Sequence, residues 1–225
     1  MIMLTKGFGS DDAAVIGILA HRDATQRAYI QQEYKTMYSE DILKRLFAKL
    51  SGKLETAVLL WRTGLAQRDA KLLIDALSPD CIDLEAVTEV RCSRTSLQQQ
   101  TLKRLYHLTC GTYLEHDIEL QDSGDHQKVI KKETSGLFEH TLLTILQCAE
   151  NPAKYFAKVL YKSMQGLQTN DTTLIRVIVT RTEINMQYIK AEYHKKYNKN
   201  LNDAVYSETP GHYRTSLLSL LGPNH

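Results

Sequence analysis

The chain of 225 residues is long enough to bury a hydrophobic core, as one long domain or as two compact ones. Its hydrophobic share of 43 % and its charged share of 24 % are those of an ordinary globular protein. A net charge of +2 provides no strong field for nucleic acid, so we expect no nucleic-acid partner. No apolar run reaches the roughly 18 residues of a membrane span, and Met1–Leu4 is too short for a signal peptide. We therefore expect a cytoplasmic protein.

Helical spacing of apolar residues recurs along the whole chain, which predicts an all-α fold with little or no sheet. The first helix is expected to run from the N-cap Ser10 to about Arg22, because Asp11 and Asp12 complement its dipole. The later helices are predicted at Ala24–Tyr38, Asp41–Lys49, Leu54–Leu60, Leu65–Leu77, Leu84–Arg94, Ser96–Thr109, Tyr113–Leu120, Leu137–Ala149, Ala153–Gln165, Asn170–Thr180, Ile184–Tyr197, Leu201–Tyr206 and Tyr213–Leu221.

An Arg, a Tyr and a Gly recur three times with the same separations of 12 and then 18 positions. The three sets are Arg22, Tyr34 and Gly52; Arg94, Tyr106 and Gly124; and Arg181, Tyr193 and Gly211. The residues 15 positions before the three arginines are Gly7, Pro79 and Gly166. Self-similarity at a fixed spacing is typical of a repeat protein, so we expect one group of short helices for each set.

The third set is displaced from its expected place. Arg22 and Arg94 are 72 positions apart, whereas Arg94 and Arg181 are 87 apart. Within this interval Glu133-Thr134-Ser135-Gly136 resembles the turn at Gly124 again, only 12 positions later. The additional 15 residues are too few for a repeat, so they indicate the end of a missing repeat joined to the second one.

Several motifs together resemble the annexin family, and its plant members most. Lys6-Gly7-Phe8-Gly9-Ser10-Asp11 resembles the annexin calcium loop, which is usually Lys-Gly-x-Gly-Thr-Asp. Trp61 with Arg68-Asp69-Ala70 is similar to the plant link into the second repeat. Cys148-Ala149-Glu150-Asn151-Pro152 resembles the entry to the fourth repeat, and Leu217–Gly222 resembles the C-terminal end of the family.

The resemblance implies annexin-type repeats of short helices in a right-handed superhelix, with about three of the usual four repeats. Repeat I would occupy residues 1–64 without its first helix, and repeat II residues 65–130. A remnant of repeat III, its last turn and helix, would occupy residues 131–150. Repeat IV would occupy residues 151–225. The lost repeat should leave apolar faces of repeat II uncovered, which puts autonomous folding in doubt.

The resemblance also implies Ca²⁺ sites made of three loop carbonyls and one carboxylate 42 positions after the first loop glycine. Such an oxygen set suits a hard cation that takes six to eight ligands. Repeat IV has both parts, because the carbonyls of Met164, Gly166 and Gln168 are matched by Glu208. Gln168 replaces the second loop glycine, and a positive φ there would cost about 1–2 kcal/mol and weaken binding.

Each of the other repeats lacks the loop, the carboxylate or both. Thr5, Gly7 and Gly9 offer loop carbonyls in repeat I, but Lys49 stands where the carboxylate is expected and would repel Ca²⁺. Repeat II has Leu77-Ser78-Pro79-Asp80 as its loop and Gln121 in place of the acid, so it should bind no calcium. Glu133 remains from repeat III, but its loop is absent from the chain.

The leading hypothesis is therefore weakened, calcium-dependent binding to acidic phospholipid on membranes, without enzyme activity. One alternative is an incomplete annexin that binds no calcium. A second is a haem-peroxidase-like activity with His21 as ligand, although a histidine beside Arg22 at a helix end also suits a capping role. Cys92 and Cys148 resemble a redox pair of plant annexins, yet helical core thiols are the simpler interpretation. Leu174–Ile178 resembles an actin-binding motif, but a buried helix stripe explains its apolar positions.

Overall fold

The computed structural model describes residues 11–47, 50, 52–79, 82–123, 141 and 143–223. The predicted all-α fold is confirmed, since the regular structure in this part of the chain is helical throughout. The helices are α1 Asp11–Ala20, α2 Ala24–Tyr38, α3 Ile42–Phe47, α4 Gly52–Arg62, α5 Leu65–Ala76, α6 Leu84–Cys92, α7 Ser96–Cys110, α8 Leu114–Ser123, α9 143–150, α10 Pro152–Ser163, α11 Asp171–Arg181, α12 Met186–Tyr197, α13 Leu201–Glu208 and α14 Gly211–Leu221. None of the helices in these ranges is long and apolar enough to cross a membrane.

Local chemistry explains where several helices begin. The Asp23 side chain accepts a hydrogen bond from the Gln26 amide, and the Gln26 side chain in turn accepts one from the backbone amide of Asp23. Thr95 and Gln98 form the same capping box at the start of α7. Each box satisfies amide groups that the first helical turn leaves without a helical partner. The helix predicted to end at Leu120 continues through Ser123.

The first unit spans residues 1–63 and 157–225, and α14 lies at its centre. This helix packs against α1, α4, α11 and α13. Leu217 of α14, Ile178 of α11 and Val205 of α13 are fully buried in this core. At a second place the Arg27 guanidinium lies 4.1 Å over the Trp61 ring and forms an ion pair of 2.8 Å with Glu183. The helices near the start of the chain thus share one core with those near its end.

The second unit spans residues 64–156, and α5 packs against both α6 and α7. The apolar face of α5 supplies Leu73 and Ala76, which lie in a cluster with Leu102 and Leu114. Contact between these side chains removes apolar area from water, the main favourable contribution to folding. The apolar face of α5 is therefore the one that the helix buries.

The repeat anchors occupy equivalent structural positions. All three anchor tyrosines are buried: Tyr34, Tyr106 and Tyr193. Tyr106 and Tyr193 lie in the third helix of their predicted repeats. Tyr34 lies in the second helix of the first repeat, which is predicted to lack its opening helix. Each of these helices ends at a residue with a left-handed backbone, Ser39, Gly111 or Asn198. The turn glycines Gly52 and Gly211 have φ values of +61° and +55°. A positive φ is accessible to glycine at little cost, which explains the recurrence of glycine at this position.

Candidate calcium site

The candidate loop of the last predicted repeat follows α10 directly. The amides of Met164 and Gln165 donate to carbonyls in the last turn of α10, and the Asn170 amide donates to the Ser163 carbonyl at 2.7 Å. The chain therefore makes a closed turn over residues 163–170. Gly166 lies at its exposed tip with φ +122°, a conformation that favours glycine.

Glu208 lies beside this loop. It is the last residue of α13, and the Thr169 hydroxyl donates a 2.8 Å hydrogen bond to its Oε2 atom. The structure therefore brings together the loop and the carboxylate that are 42 positions apart when counted from Gly166. Thr169 is not among the site residues predicted from the sequence, although it occupies the threonine position of the Lys-Gly-x-Gly-Thr-Asp pattern. That position is the signal that could have identified it.

The loop also presents backbone oxygens that are not used elsewhere. Within the ranges that the structure describes, no backbone amide outside the helices donates a hydrogen bond to the carbonyls of Met164, Gly166 or Gln168. The positive φ expected at Gln168 is wrong, because the described non-glycine residues with positive φ are Ser39 and Asn198. The left-handed turn is made at Gly166 alone, so Gln168 carries no such conformational cost.

The helix that leaves the loop is anchored at its first turn. Asn170 caps α11 by accepting a hydrogen bond from the Thr173 amide at 3.1 Å. The next residue, Asp171, accepts a 3.0 Å hydrogen bond from the Tyr213 hydroxyl and forms an ion pair with Lys53. Burial, together with the Asp171 carboxylate, raises the pKa of Tyr213. These contacts fix the C-terminal side of the loop to α14 and α4.

This set of atoms fits calcium better than a softer metal. Among the described residues no group of three or more His, Cys, Asp or Glu side chains could hold a metal. The loop offers neutral carbonyl oxygens and one carboxylate, which are the ligands of a hard cation. Because Ca²⁺ takes six to eight oxygens, such a partial set would leave positions for water or for a lipid phosphate.

The remaining predicted site residues lie partly outside the described ranges. Thr5, Gly7, Gly9, Lys49 and Glu133 belong to this group, so their predicted roles stay predictions. In the second repeat the helix α5 ends at Ala76, and Pro79 follows it without a glycine-rich loop. Its expected lack of a calcium loop stays a prediction as well.

The other motifs have structural explanations. His21 Nδ1 is 2.7 Å from the Gly17 carbonyl, a contact that caps the end of α1. Cys92 and Cys148 are free thiols, and burial raises the pKa of Cys92, which lowers the thiolate fraction that redox chemistry requires. The segment 174–178 is at most 3 % exposed. It therefore belongs to the core, as the interpretation of a buried helix stripe expects.

Comparison with known proteins gives one consistent family. A sequence model of the annexin family matches residues 4–61 and 155–220. Annexin D5 of Arabidopsis thaliana is 41 % identical to this chain, over 97 % of the chain and 92 % of the relative. That alignment runs over 291 positions, which exceeds the 225 residues of the chain, so the relative contains a stretch that this chain lacks.

Solved structures agree with this result. The structure of a mutant of annexin A8 with an intact N-terminus has a TM-score of 0.87 and 27 % identity, covering 97 % of this chain and 91 % of that one. The structure of calcium-bound annexin (Sm)1 has a TM-score of 0.83, with coverage of 97 % and 87 %. Its identity of 22 % makes this a likeness of fold.

Proposed function

The chain belongs to the annexin family, and from that premise we propose that it binds acidic phospholipid membranes peripherally through one calcium ion held by residues 164–169 and Glu208. Annexins in general are membrane-binding proteins and not enzymes. The single observation that carries the proposal for this chain is the 2.8 Å contact between Thr169 and Glu208. It supports a site in which the loop carbonyls and the carboxylate face one ion.

The proposed role of each residue follows from the kind of oxygen that it offers. The carbonyls of Met164, Gly166 and Gln168 would hold the ion from the loop, and Glu208 would supply the one negative charge. A phosphate of the membrane would complete the oxygen set, because Ca²⁺ takes more ligands than the protein offers. Calcium would thus act as a bridge between the chain and an anionic surface.

The shape of the loop supports a membrane contact. Leu167 lies at the tip of the loop, and its side chain is fully exposed. A large apolar side chain exposed beside an ion that holds phosphate is suited to the interface between headgroups and acyl chains. We expect this residue to add apolar binding energy once calcium has brought the loop to the surface.

For the organisation of the chain we propose repeat I at residues 1–64, repeat II at 65–130, a remnant of repeat III at 131–150 and repeat IV at 151–225. Two findings support this division. The family match covers residues 4–61 and 155–220, at the two ends of the chain. The alignment with annexin D5 requires an internal gap in this chain. We further propose that the protein is cytoplasmic and reaches membranes only when calcium rises.

The test is cosedimentation of the chain with phosphatidylserine vesicles, with millimolar calcium and with a chelator. We expect binding only with calcium, and we expect Glu208→Gln to remove most of it. Glu40→Gln is the matched control, because it makes the same charge change at an exposed glutamate in the α2–α3 turn. Binding that ignores both the chelator and Glu208→Gln would remove calcium from the mechanism. Absence of binding in the folded chain would favour the alternative of an annexin without calcium binding.

A further inference from the structure

A mostly apolar groove with a volume of about 280 Å³ opens on the first unit, lined by residues of α1, α2 and α3. Among the described residues that line it, Glu33 is the one that carries a charge, and the others are apolar or tyrosine. Met37 and Tyr38 line it and are 66 % and 51 % exposed. None of these residues belongs to the candidate calcium site, so the proposed function makes no use of the groove.

Equivalent positions in the other repeats show what this groove lacks. Ile30 lines it and is half-buried, whereas the equivalent Leu102 and Ile189 are fully buried. In the second repeat α5 packs against α7, and its Leu73 lies in one cluster with Leu102. Within the described ranges no helix precedes α1. The groove therefore lies where the second repeat carries its opening helix.

The α1 side of the groove shows the same difference. Ile18 is half-buried, whereas the equivalent Val90 and Val177 are buried. In the fourth repeat Leu160 of α10 is fully buried, and it is the equivalent of Leu73 in α5. The second and fourth repeats thus each bury a leucine from an amphipathic opening helix at the corresponding place.

The tyrosine pair of the groove resembles that of the fourth repeat. The ring centres of Tyr34 and Tyr38 are 4.7 Å apart. Those of the equivalent Tyr193 and Tyr197 are 5.0 Å apart. In the fourth repeat α10 adds a third ring, since Tyr161 stacks on Tyr197 at 3.7 Å. Among the described residues the ring contact of Tyr38 is with Tyr34 alone, so the groove has room for a ring like that of Tyr161.

We propose that this groove binds an amphipathic helix of a partner protein, similar to α10 in carrying a leucine and a tyrosine on its apolar face and a basic residue beside them. The leucine fills the place at Ile30 that Leu73 fills at Leu102, and the tyrosine ring covers Tyr38. Such helix-in-groove recognition takes its affinity from the apolar side chains that the groove removes from water. The interaction is independent of calcium, because it uses none of the residues of the calcium site.

Charge and length favour a partner protein over the other possible occupants. Glu33 attracts a basic residue, and α10 carries three lysines and no acidic residue. The apolar segment Met1–Leu4 has the length of about one helical turn, whereas α10 has 12 residues. In a second copy of this chain, α5 and α10 are already packed in their own repeats. A basic amphipathic helix from another protein is therefore the occupant that fits the groove.

The test measures binding of a fluorescent synthetic peptide with the sequence of residues 150–163 to the full chain by anisotropy. We expect saturable one-to-one binding, equal with calcium and with a chelator. Leu160→Asp in the peptide should lower the affinity about tenfold or more, the fold-change for burying one leucine side chain.

Variants of the chain locate the site. Met37→Gln and Tyr38→Ala should each weaken binding several-fold, and both residues are exposed enough for the variants to fold. Glu33→Gln should weaken it less, because an exposed charge contributes little. Leu108→Gln is the matched control, since this exposed apolar residue lies on α7 outside the groove. Circular dichroism checks that each variant retains its helices.

Several outcomes overturn the proposal. No binding of the peptide to the unaltered chain would refute it, and a groove that then also takes up no apolar dye would be covered by residues before Asp11. Equal binding of the peptide and its Leu160→Asp variant would show a non-specific contact. An equal loss in Leu108→Gln and Met37→Gln would place the contact outside the groove. A chain that sediments as a dimer and becomes monomeric in Met37→Gln would assign the groove to a second copy instead.

Discussion

Asp69 and Arg94 form a buried ion pair with two hydrogen bonds, from Arg94 Nε to Asp69 Oδ2 at 2.5 Å and from Arg94 Nη2 to Asp69 Oδ1 at 2.8 Å. Their side chains are 3 % and 1 % exposed. The pair joins α5 to the turn after α6, and Arg94 is one of the three repeat arginines. The parallel arrangement satisfies both carboxylate oxygens, which is the geometry in which a buried pair is least costly.

Breaking this pair should destabilise the second unit strongly. Asp69→Asn leaves the Arg94 charge buried without its counter-ion, for which we expect a loss of about 3–5 kcal/mol in the free energy of unfolding. Denaturant unfolding followed by circular dichroism measures it. Asp75→Asn is the control, because its pair with Lys71 is exposed and should contribute less than about 1 kcal/mol. A loss at Asp69→Asn no larger than that at Asp75→Asn would contradict the prediction.

The positive φ of Gly166, and not the space around the residue, should affect the calcium affinity of the site. Gly166→Ala adds a methyl group that meets no atom within 4 Å, so the only cost is the positive φ of +122°. In the free variant the exposed loop can avoid this strain by adopting another conformation. Calcium binding must then restore the positive φ at a cost of about 1–2 kcal/mol, which lowers calcium affinity about 5- to 30-fold. Calorimetric calcium titration measures this change.

Gly17→Ala is the matched control for this substitution. A methyl group added at Gly17 also meets no atom within 4 Å, but this glycine lies in α1 without a positive φ. Alanine there should leave calcium affinity unchanged and stabilise the helix by up to about 1 kcal/mol. Equal effects of the two substitutions on calcium affinity would show that the backbone of Gly166 has no role in the site.

The hydrogen bond from Thr169 to Glu208 should preorganise the site. Thr169→Val removes the 2.8 Å bond that holds the carboxylate at the loop, while the shape of the side chain stays almost the same. A net hydrogen bond is worth about 1 kcal/mol, so we expect calcium affinity to fall about fivefold. Thr36→Val is the control, since its hydroxyl donates only to the Gln32 carbonyl within α2. Unchanged or tighter calcium binding in Thr169→Val would argue against preorganisation.

The resemblance to annexins led to the expectation that the loop and Glu208 lie side by side, and the contact of Thr169 with Glu208 agrees with it. The annexin resemblance supplied the rule of 42 positions, and this rule was enough to expect Gly166 and Glu208 close together. The φ of Gln168 could not be predicted from its place in the pattern, where a second glycine is usual. The loop makes its left-handed turn at Gly166 alone, so Gln168 does not need a positive φ. The partners of the anchor tyrosines also escaped prediction, since Arg45 at Tyr34 and Asp117 at Tyr106 are evident only from the structure.

The packing of α14 could not be predicted from the sequence either. The sequence predicted a helix at Tyr213–Leu221, but not that α1, α4, α11 and α13 would pack against it. Two of these partners lie near the start of the chain, and amphipathic patterns carry no information on which distant helix they meet. Pairing across so many residues is decided by the fit of whole surfaces.

The pair of Lys103 and Glu115 should make the second unit sensitive to acid. The hydrogen bond from Lys103 lowers the pKa of Glu115 below its ordinary value of 4.5. A carboxyl group with a lowered pKa in the folded state stabilises the protein above its unfolded pKa, and this contribution is lost as the pH falls through the folded pKa. We therefore expect Lys103→Met to bring the pKa of Glu115 back towards its ordinary value and to flatten the loss of stability in acid.

Carboxyl-resolved NMR titration measures the pKa of Glu115 directly. Lys71→Met, at an exposed pair within one helix, is the control. A pKa of Glu115 that stays low in Lys103→Met would assign the shift to the Glu115 backbone or to Arg91, the other groups that lower it.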